Sequence, residues 1–274
     1  MSDRSRAFAE KFMVRPGKEF RLKDIDPRDG SAFEDEDATK AETDRLSRDI
    51  DALQDRLYAE GRRSLLVVLQ GTDTAGKDGT IRGVFNATGP IGVSVTAFRR
   101  PTETELAHDF LWRAHLACPK RGMIGIFNRS HYEDVLVAKV RGLAPDKVIE
   151  QRYEQINAFE KMLTENGTVV LKFMLHISKD EQKERLQERL DNPRKHWKFN
   201  PGDLEDRKSW DDFQKAYEAL LNACSTEWAP WYVVPADRKW VRNGIVARIV
   251  KATLEDMDPQ YPKATWKPGE FKVE

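Results

Sequence analysis

The chain has 274 residues, 39% of them hydrophobic and 34% charged, which is enough for one sizeable core and too few for two independent domains of ordinary size. Its 46 basic and 46 acidic residues cancel, so no global field draws it to nucleic acid or to a membrane, and an anion site has to be a local arrangement. Two cysteines, Cys118 and Cys224, are too few for a disulfide framework; with no signal-like opening and no apolar run near the roughly 20 residues that cross a bilayer, a soluble cytoplasmic protein is expected.

Residues 1–37 are polar, with Pro16, Pro27 and Gly30 among charges, and read as an extended N-terminal arm outside the core. Residues 38–274 read as one domain. A helical pattern over 38–62 leads into SLLVVLQ at 64–70, a short apolar run ending at a glycine, as expected of a strand buried on both faces. Similar runs lie at 93–98, 123–127, 169–177 and 231–235, separated by helical patterns near 80–86, 102–118, 147–165, 179–190, 211–225 and 240–255. This alternation predicts an α/β fold with a parallel five-stranded sheet covered by helices on both faces. Residues 191–210 interrupt the helical pattern with Pro193, Pro201 and Gly202 among many cations. They read as a mobile flap, so that a lid spans about 179–210.

Directly after the first predicted strand comes GTDTAGKDG at 71–79, followed by a helix. The G-x-x-x-x-G-K spacing between strand and helix is that of a phosphate loop. Glycine lets backbone N–H groups turn inward around phosphate oxygens, and the helix N-terminus adds partial positive charge. Thr74, Ala75, Gly76, Asp78 and Gly79 are the expected phosphate-binding positions, with Lys77 the mobile full charge. Asp78 stands where a Mg²⁺-ligating Ser or Thr is usual, and Asp73 adds a carboxylate to the loop. A carboxylate facing phosphates is repelled unless a divalent cation intervenes, so Asp73 reads as a Mg²⁺ ligand or as the group orienting the attacking oxygen. The alternatives are a turn-stabilising Asx residue at 73 and a favourable first-turn helix residue at 78.

The third predicted strand ends in FNRSHYED at 127–134. Ligands of open α/β sheets sit beyond the carboxyl ends of strands, so this cluster should face the phosphate loop. Arg129 is suited to grip phosphate, and a carboxylate such as Asp134 to hold metal. In the lid, Arg185 and Arg189 share a helical face at i, i+4, and Arg194, Lys195, Lys198 and Arg207 follow in the broken stretch. Such a set suits a flap closing over a polyanion; the plain alternative is a solvated helix laced by its own ion pairs. Trp210, Trp231 and Trp240 border the same face, where large aromatics more often pack the core than stack on bases.

In chain order, GTDTAGKDGT, FRRPTETELAHDFLWR, FNRSHYEDVLV, LHISKDEQKERLQERLDNPRKHWKFNPGD and APWYVVPADRKW resemble the successive motifs of the type 2 polyphosphate kinases over roughly residues 60–245. The resemblance implies a P-loop kinase fold akin to thymidylate kinase, a helical lid, Mg²⁺ dependence with Mn²⁺ as an alternative, and reversible phosphoryl transfer between inorganic polyphosphate and nucleotides. It implies phosphate-loop roles for Gly76 and Lys77, a metal or catalytic role for Asp73, a Walker B setting for Arg129 and Asp134, and a homo-oligomer. Where many relatives carry FDRSWYN, this chain has FNRSHYE, so neutral Asn128 shifts metal binding towards Asp73 and Asp134. The pattern resembles the class III subfamily, which accepts AMP as well as ADP and yields ATP. Glu133, in place of Asn, is the expected selector of the nucleotide acceptor. Guanine nucleotides are further expected substrates. The competing readings are an ATP-dependent nucleoside or nucleoside-monophosphate kinase and a non-catalytic polyanion-binding protein; fold alone does not separate them.

Overall fold

The structure is a computed structural model that describes residues 2–267 and 269–273. After helix α1 (Asp3–Glu10), α2 (Glu36–Glu60) starts where the Asp35 side chain accepts from Ala38 N at 2.6 Å and stops at Gly61, whose φ of 64° is the left-handed cap a glycine tolerates. Then come β1 (Ser64–Gln70), α3 (Lys77–Val84), β2 (Val93–Ala97), α4 (Glu103–Leu106), α5 (Trp112–Ala117), β3 (Ile124–Asn128), α6 (Glu133–Val140) and α7 (Asp146–Glu165). The chain continues through β4 (Thr168–His176), α8 (Lys179–Asp191), α9 (Pro201–Lys208), α10 (Trp210–Cys224), β5 (Trp231–Pro235) and α11 (Lys239–Met257).

The five strands are all parallel in the order β2-β3-β1-β4-β5, as the alternating pattern predicts. β1 is central, every residue of it is buried, and its side chains alternate between two cores. Leu65, Val67 and Leu69 pack with residues of α2 and α11, while Leu66 and Val68 pack with residues of α6, α7 and α10. Burial on both faces is why the strand reads as an uninterrupted apolar run. Among the described residues no helix is long and apolar enough to cross a membrane.

Three expectations need correction. Residues 1–37 are not a free extended arm. Beyond α1 the chain runs antiparallel to β5, with Val14 N donating to Trp231 O and Val233 N to Phe12 O, both at 2.8 Å. Val14 and Leu22 are buried in the core, and the segment covers a sheet edge that would otherwise expose unpaired backbone. Its apolar residues come in runs no longer than Ala7–Ala9 and Phe12–Val14 among charges, too short for a local period to reveal them. The helix expected over 102–118 is two short helices, broken where the Asp109 carboxylate accepts from Leu111 N at 3.0 Å and so competes with the helical bond. The flap is also more regular than its prolines suggest. Pro193 opens a 3₁₀ turn (Pro193–Lys198) and Pro201 opens α9, each just after an asparagine cap, because a first-turn position needs no N–H.

Candidate active site

The phosphate loop joins the carboxyl end of β1 to α3. Gly71 has φ 151°, and a Cβ there would lie 2.7 Å from Leu175 O; Gly76 has φ 104°, and a Cβ there would lie 1.9 Å from Arg242 Nη1. Only glycine fits both positions. Thr74, with φ 65°, takes the same left-handed region with a side chain, a strain typical of functional loops. The buried hydroxyls of Thr72 and Thr74 have no hydrogen-bond partner among the described residues, and such orphaned groups fit a loop built to meet phosphate oxygens.

Lys77, expected as the mobile charge of the loop, is buried, and its Nζ donates to Gly71 O at 2.7 Å and Thr72 O at 3.2 Å. It closes the loop on itself. Burial, aided by Arg129 and opposed by Asp73, Glu133 and Asp78, lowers its pKa to about 8. Three long side chains brace the same loop from outside. Arg185 of α8 donates to Thr74 O at 2.9 Å and to Ala236 O and Asp237 O at 2.8 and 2.7 Å, Gln182 Nε2 to Asp73 O at 3.2 Å, and Arg242 of α11 to Ala75 O at 3.3 Å. Gln182 and Arg242 escape the sequence reading. The one signal for Arg242 was a cation inside the apolar run of the last helix.

Arg129 follows β3 with φ 61°. Its Nη2 bonds Asp73 of the loop, and its Nη1 bonds Glu133 Oε2 at 2.9 Å. Glu133, then Asp73, raise the guanidinium against the opposing effect of burial. The expected meeting of the two strand ends therefore occurs through Arg129, Asp73 and Glu133. The cleft they line with Gly71 and Thr72 is walled on its apolar side by Trp210, Phe213 and Tyr217. Trp231 is fully buried against Tyr132 and Trp240 packs on Phe33, both core contacts.

Asp134, expected beside Asp73 as a second metal ligand, goes elsewhere. It pairs with Arg113 of α5 at 3.3 Å, and Arg152 holds its backbone oxygen at 2.7 Å. Burial raises its carboxyl despite Arg113 and Arg152. The first turn of α6 points Glu133 at the cleft, and Asp134, one residue on, is rotated away from it. Asn128 donates to Asp78 at 2.6 Å, which holds that carboxylate at the start of α3. Among the described residues no group of three or more His, Cys, Asp or Glu could hold a metal by itself. Mg²⁺ commonly binds one or two carboxylates and takes its other ligands from substrate phosphates and water. The oxygen donors of Asp73 and Glu133 beside the loop fit that mode.

The lid cations divide. Arg189 is paired with Asp203 at 2.9 Å, Arg207 is bound to Lys179 O and Gln182 Oε1 at 2.6 and 3.0 Å, and Lys195 pairs with Glu188. Lys198 lies 5.0 Å over the Trp197 ring, and the Arg194 side chain has no partner among the described residues. The lid is tied to the body where Arg141, beyond α6, grips both oxygens of Asp206 in α9 at 2.7 and 2.8 Å. Asp206 also lines the cleft.

A parallel sheet with a glycine-bent loop, a loop lysine and a basic-acidic cluster beyond its strand ends defines a phosphotransferase of the P-loop kinase-like class. A family model described as Polyphosphate kinase 2 matches residues 32–262, and the chain belongs to that family as an enzyme of the type 2 polyphosphate kinases. It is 54% identical over 255 residues to a Meiothermus ruber protein named AMP/ADP-polyphosphate phosphotransferase, covering 93% of this chain and 96% of that one. A Rhodopseudomonas palustris ADP-polyphosphate phosphotransferase is 41% identical over 256 residues, 88% of this chain and 86% of that one. The crystal structure of polyphosphate kinase 2 from Arthrobacter aurescens superposes with a TM-score of 0.91 at 44% identity, covering 95% of this chain and 93% of that one.

Proposed function

We propose that the chain transfers phosphoryl groups between inorganic polyphosphate and adenine nucleotides, accepting both AMP and ADP and forming ATP in the second step, with guanine nucleotides as further acceptors. The observation that carries this reading is Arg129, held between the loop carboxylate of Asp73 and Glu133. In-line phosphoryl transfer demands little covalent help and much positioning and charge neutralisation. The loop backbone and the free hydroxyls of Thr72 and Thr74 bind phosphate oxygens. Lys77 keeps the loop closed and adds charge beneath it, and Arg129 turns from its carboxylates to the oxygens where charge develops. Asp73 and Glu133 would hold Mg²⁺ or Mn²⁺, which when bound neutralises charge shared between phosphate oxygens. α8, α9 and the turn between them cover the cleft and exclude water, and Arg194, Lys195 and Lys198 meet the rest of the polyphosphate. Similar phosphoanhydride bonds are made and broken, so concentrations set the direction.

A homo-oligomer in the cytoplasm that binds neither nucleic acid nor membrane belongs to the same reading; the balanced charge leaves no net field to draw the chain to nucleic acid or a membrane. The test is purified protein with polyphosphate, Mg²⁺ and AMP, ADP or GDP separately, following each nucleotide product. ADP and ATP formed from AMP support the proposal. Turnover of ATP with a nucleoside acceptor and none with polyphosphate would mean an ordinary nucleoside kinase.

A further inference from the structure

Gln70 is the last residue of β1, fully buried, and precedes the first glycine of the phosphate loop. A buried amide there needs partners at both ends. One orientation supplies them: Nε2 donates to Glu133 Oε1 at 3.0 Å, and Oε1 accepts from Ser130 N at 3.2 Å and Ser130 Oγ at 3.0 Å. The reverse sets the amide oxygen against a carboxylate oxygen, acceptor against acceptor. The other oxygen of Glu133 is taken by Arg129 at 2.9 Å. The carboxylate is therefore gripped at both oxygens by groups from two strand ends, one of them continuous with the phosphate loop.

We propose that Gln70 is the positioning residue for Glu133, fixing its carboxylate relative to the phosphate loop so that the enzyme can use the short acceptor AMP. The proposal rests on the reading of Glu133 as acceptor selector. A neutral amide suits this task, because it fixes the orientation of the carboxylate without setting a second cation against it beside Arg129, as a lysine would. AMP carries one phosphate fewer than ADP, so its attacking oxygen must be placed by groups beyond the reach of the loop, and small misplacements cost rate steeply. With Gln70 removed, Glu133 keeps only Arg129 and is left unheld whenever Arg129 turns to phosphate. ADP, anchored by its additional phosphate, depends less on that carboxylate.

The test compares kcat and KM for AMP and for ADP, at saturating polyphosphate and Mg²⁺, in the parent, Gln70→Leu, Glu133→Asn and the double variant, with thermal unfolding as a control. Expected in Gln70→Leu is a loss of kcat with AMP about tenfold larger than the loss with ADP, the scale of one hydrogen bond to a charged group, with the KM for polyphosphate unchanged. Glu133→Asn shifts the AMP-to-ADP ratio the same way, and in that background Gln70→Leu shifts it no further. A merely structural role would lower both rates together and leave the ratio alone. If Glu133→Asn moves the ratio and Gln70→Leu does not, the positioning role is overturned while Glu133 keeps its place. If neither moves it, the selector reading falls and the proposal with it. Should Gln70→Leu fail to fold, Gln70→Asn, which keeps the amide but withdraws it by one methylene, carries the same expectation.

Discussion

Arg129 donates to Asp73 across 56 positions of sequence, which links the turn after β3 to the phosphate loop. With Glu133 on its other arm, the guanidinium is anchored where two strand ends converge. Replacing Arg129 by lysine keeps the charge but loses the planar fork that spans two partners. Turnover should fall by about 10²–10³-fold, the usual worth of one electrostatic stabiliser, with the circular dichroism spectrum unchanged. A lysine variant within threefold of the parent in kcat would show that charge alone suffices there.

Lys77→Ala should likewise lose about 10²–10³-fold in turnover. It should fold, since the carbonyls of Gly71 and Thr72 that lose their donor cost about 1–3 kcal/mol. The lysine also sets a pH dependence of stability. Its folded pKa, about 8, lies below the ordinary 10.5, so between these values the unfolded chain holds a proton the folded chain has released. Stability therefore rises with pH across that window relative to Lys77→Met, and the burial cost is felt fully below pH 8. Urea midpoints of both proteins from pH 7 to 10.5 measure it. A constant difference between them would mean that Lys77 is not held at a depressed pKa.

Neutralising Arg194, Lys195 and Lys198 together should weaken use of polyphosphate much more than nucleotide binding. Lys195 pairs only with Glu188 of the lid itself, Lys198 lies over Trp197, and the Arg194 side chain has no partner among the described residues, so none of the three is tied to the body of the protein. By analogy with counterion release from nucleic acids, the KM for polyphosphate should rise steeply with salt in the parent and less steeply in the triple variant. Equal salt slopes would mark these cations as bystanders.

Beneath the turn that carries Arg129, Lys172 of β4 donates to Glu160 of α7 at 2.5 Å, to the Tyr132 hydroxyl at 2.9 Å and to Cys224 O at 2.7 Å, all fully buried. Burial alone would raise the Glu160 carboxyl, but Lys172 and His131 outweigh it and hold it below its ordinary value. Lys172→Met leaves that charge in the core with only His131 and the Tyr132 hydroxyl beside it and should cost about 3–5 kcal/mol of stability. Lys172→Met with Glu160→Leu should recover much of the loss in denaturant unfolding. Equal stability of the two variants would argue against that charge as the cause.

The sequence alone determined the parts of this protein that are periodic or local. β1 runs straight into a loop whose glycines take positive φ at 71 and 76, and both were legible because a strand pattern and a turn conformation are each complete within a dozen residues. The strand–helix alternation was legible for the same reason, since a strand buried on both faces must be apolar throughout. Tertiary structure alone decided the rest. Arg242 reaches Ala75 across 167 positions and Arg185 reaches Thr74 across 111, and no spacing rule announces either brace. Asp134 and Glu133 are neighbours with equal claims to the cleft by chemistry. The helical turn sends Glu133 to Arg129 and Gln70, and Asp134 to Arg113. The N-terminal segment looked like a loose arm because its apolar runs are too short to show a period, and only the edge of β5 with the flanking α10 and α11 gave them something to bury against. Charged side chains and sparse apolar residues have no period of their own, so their roles are set by what the folded sheet brings within reach.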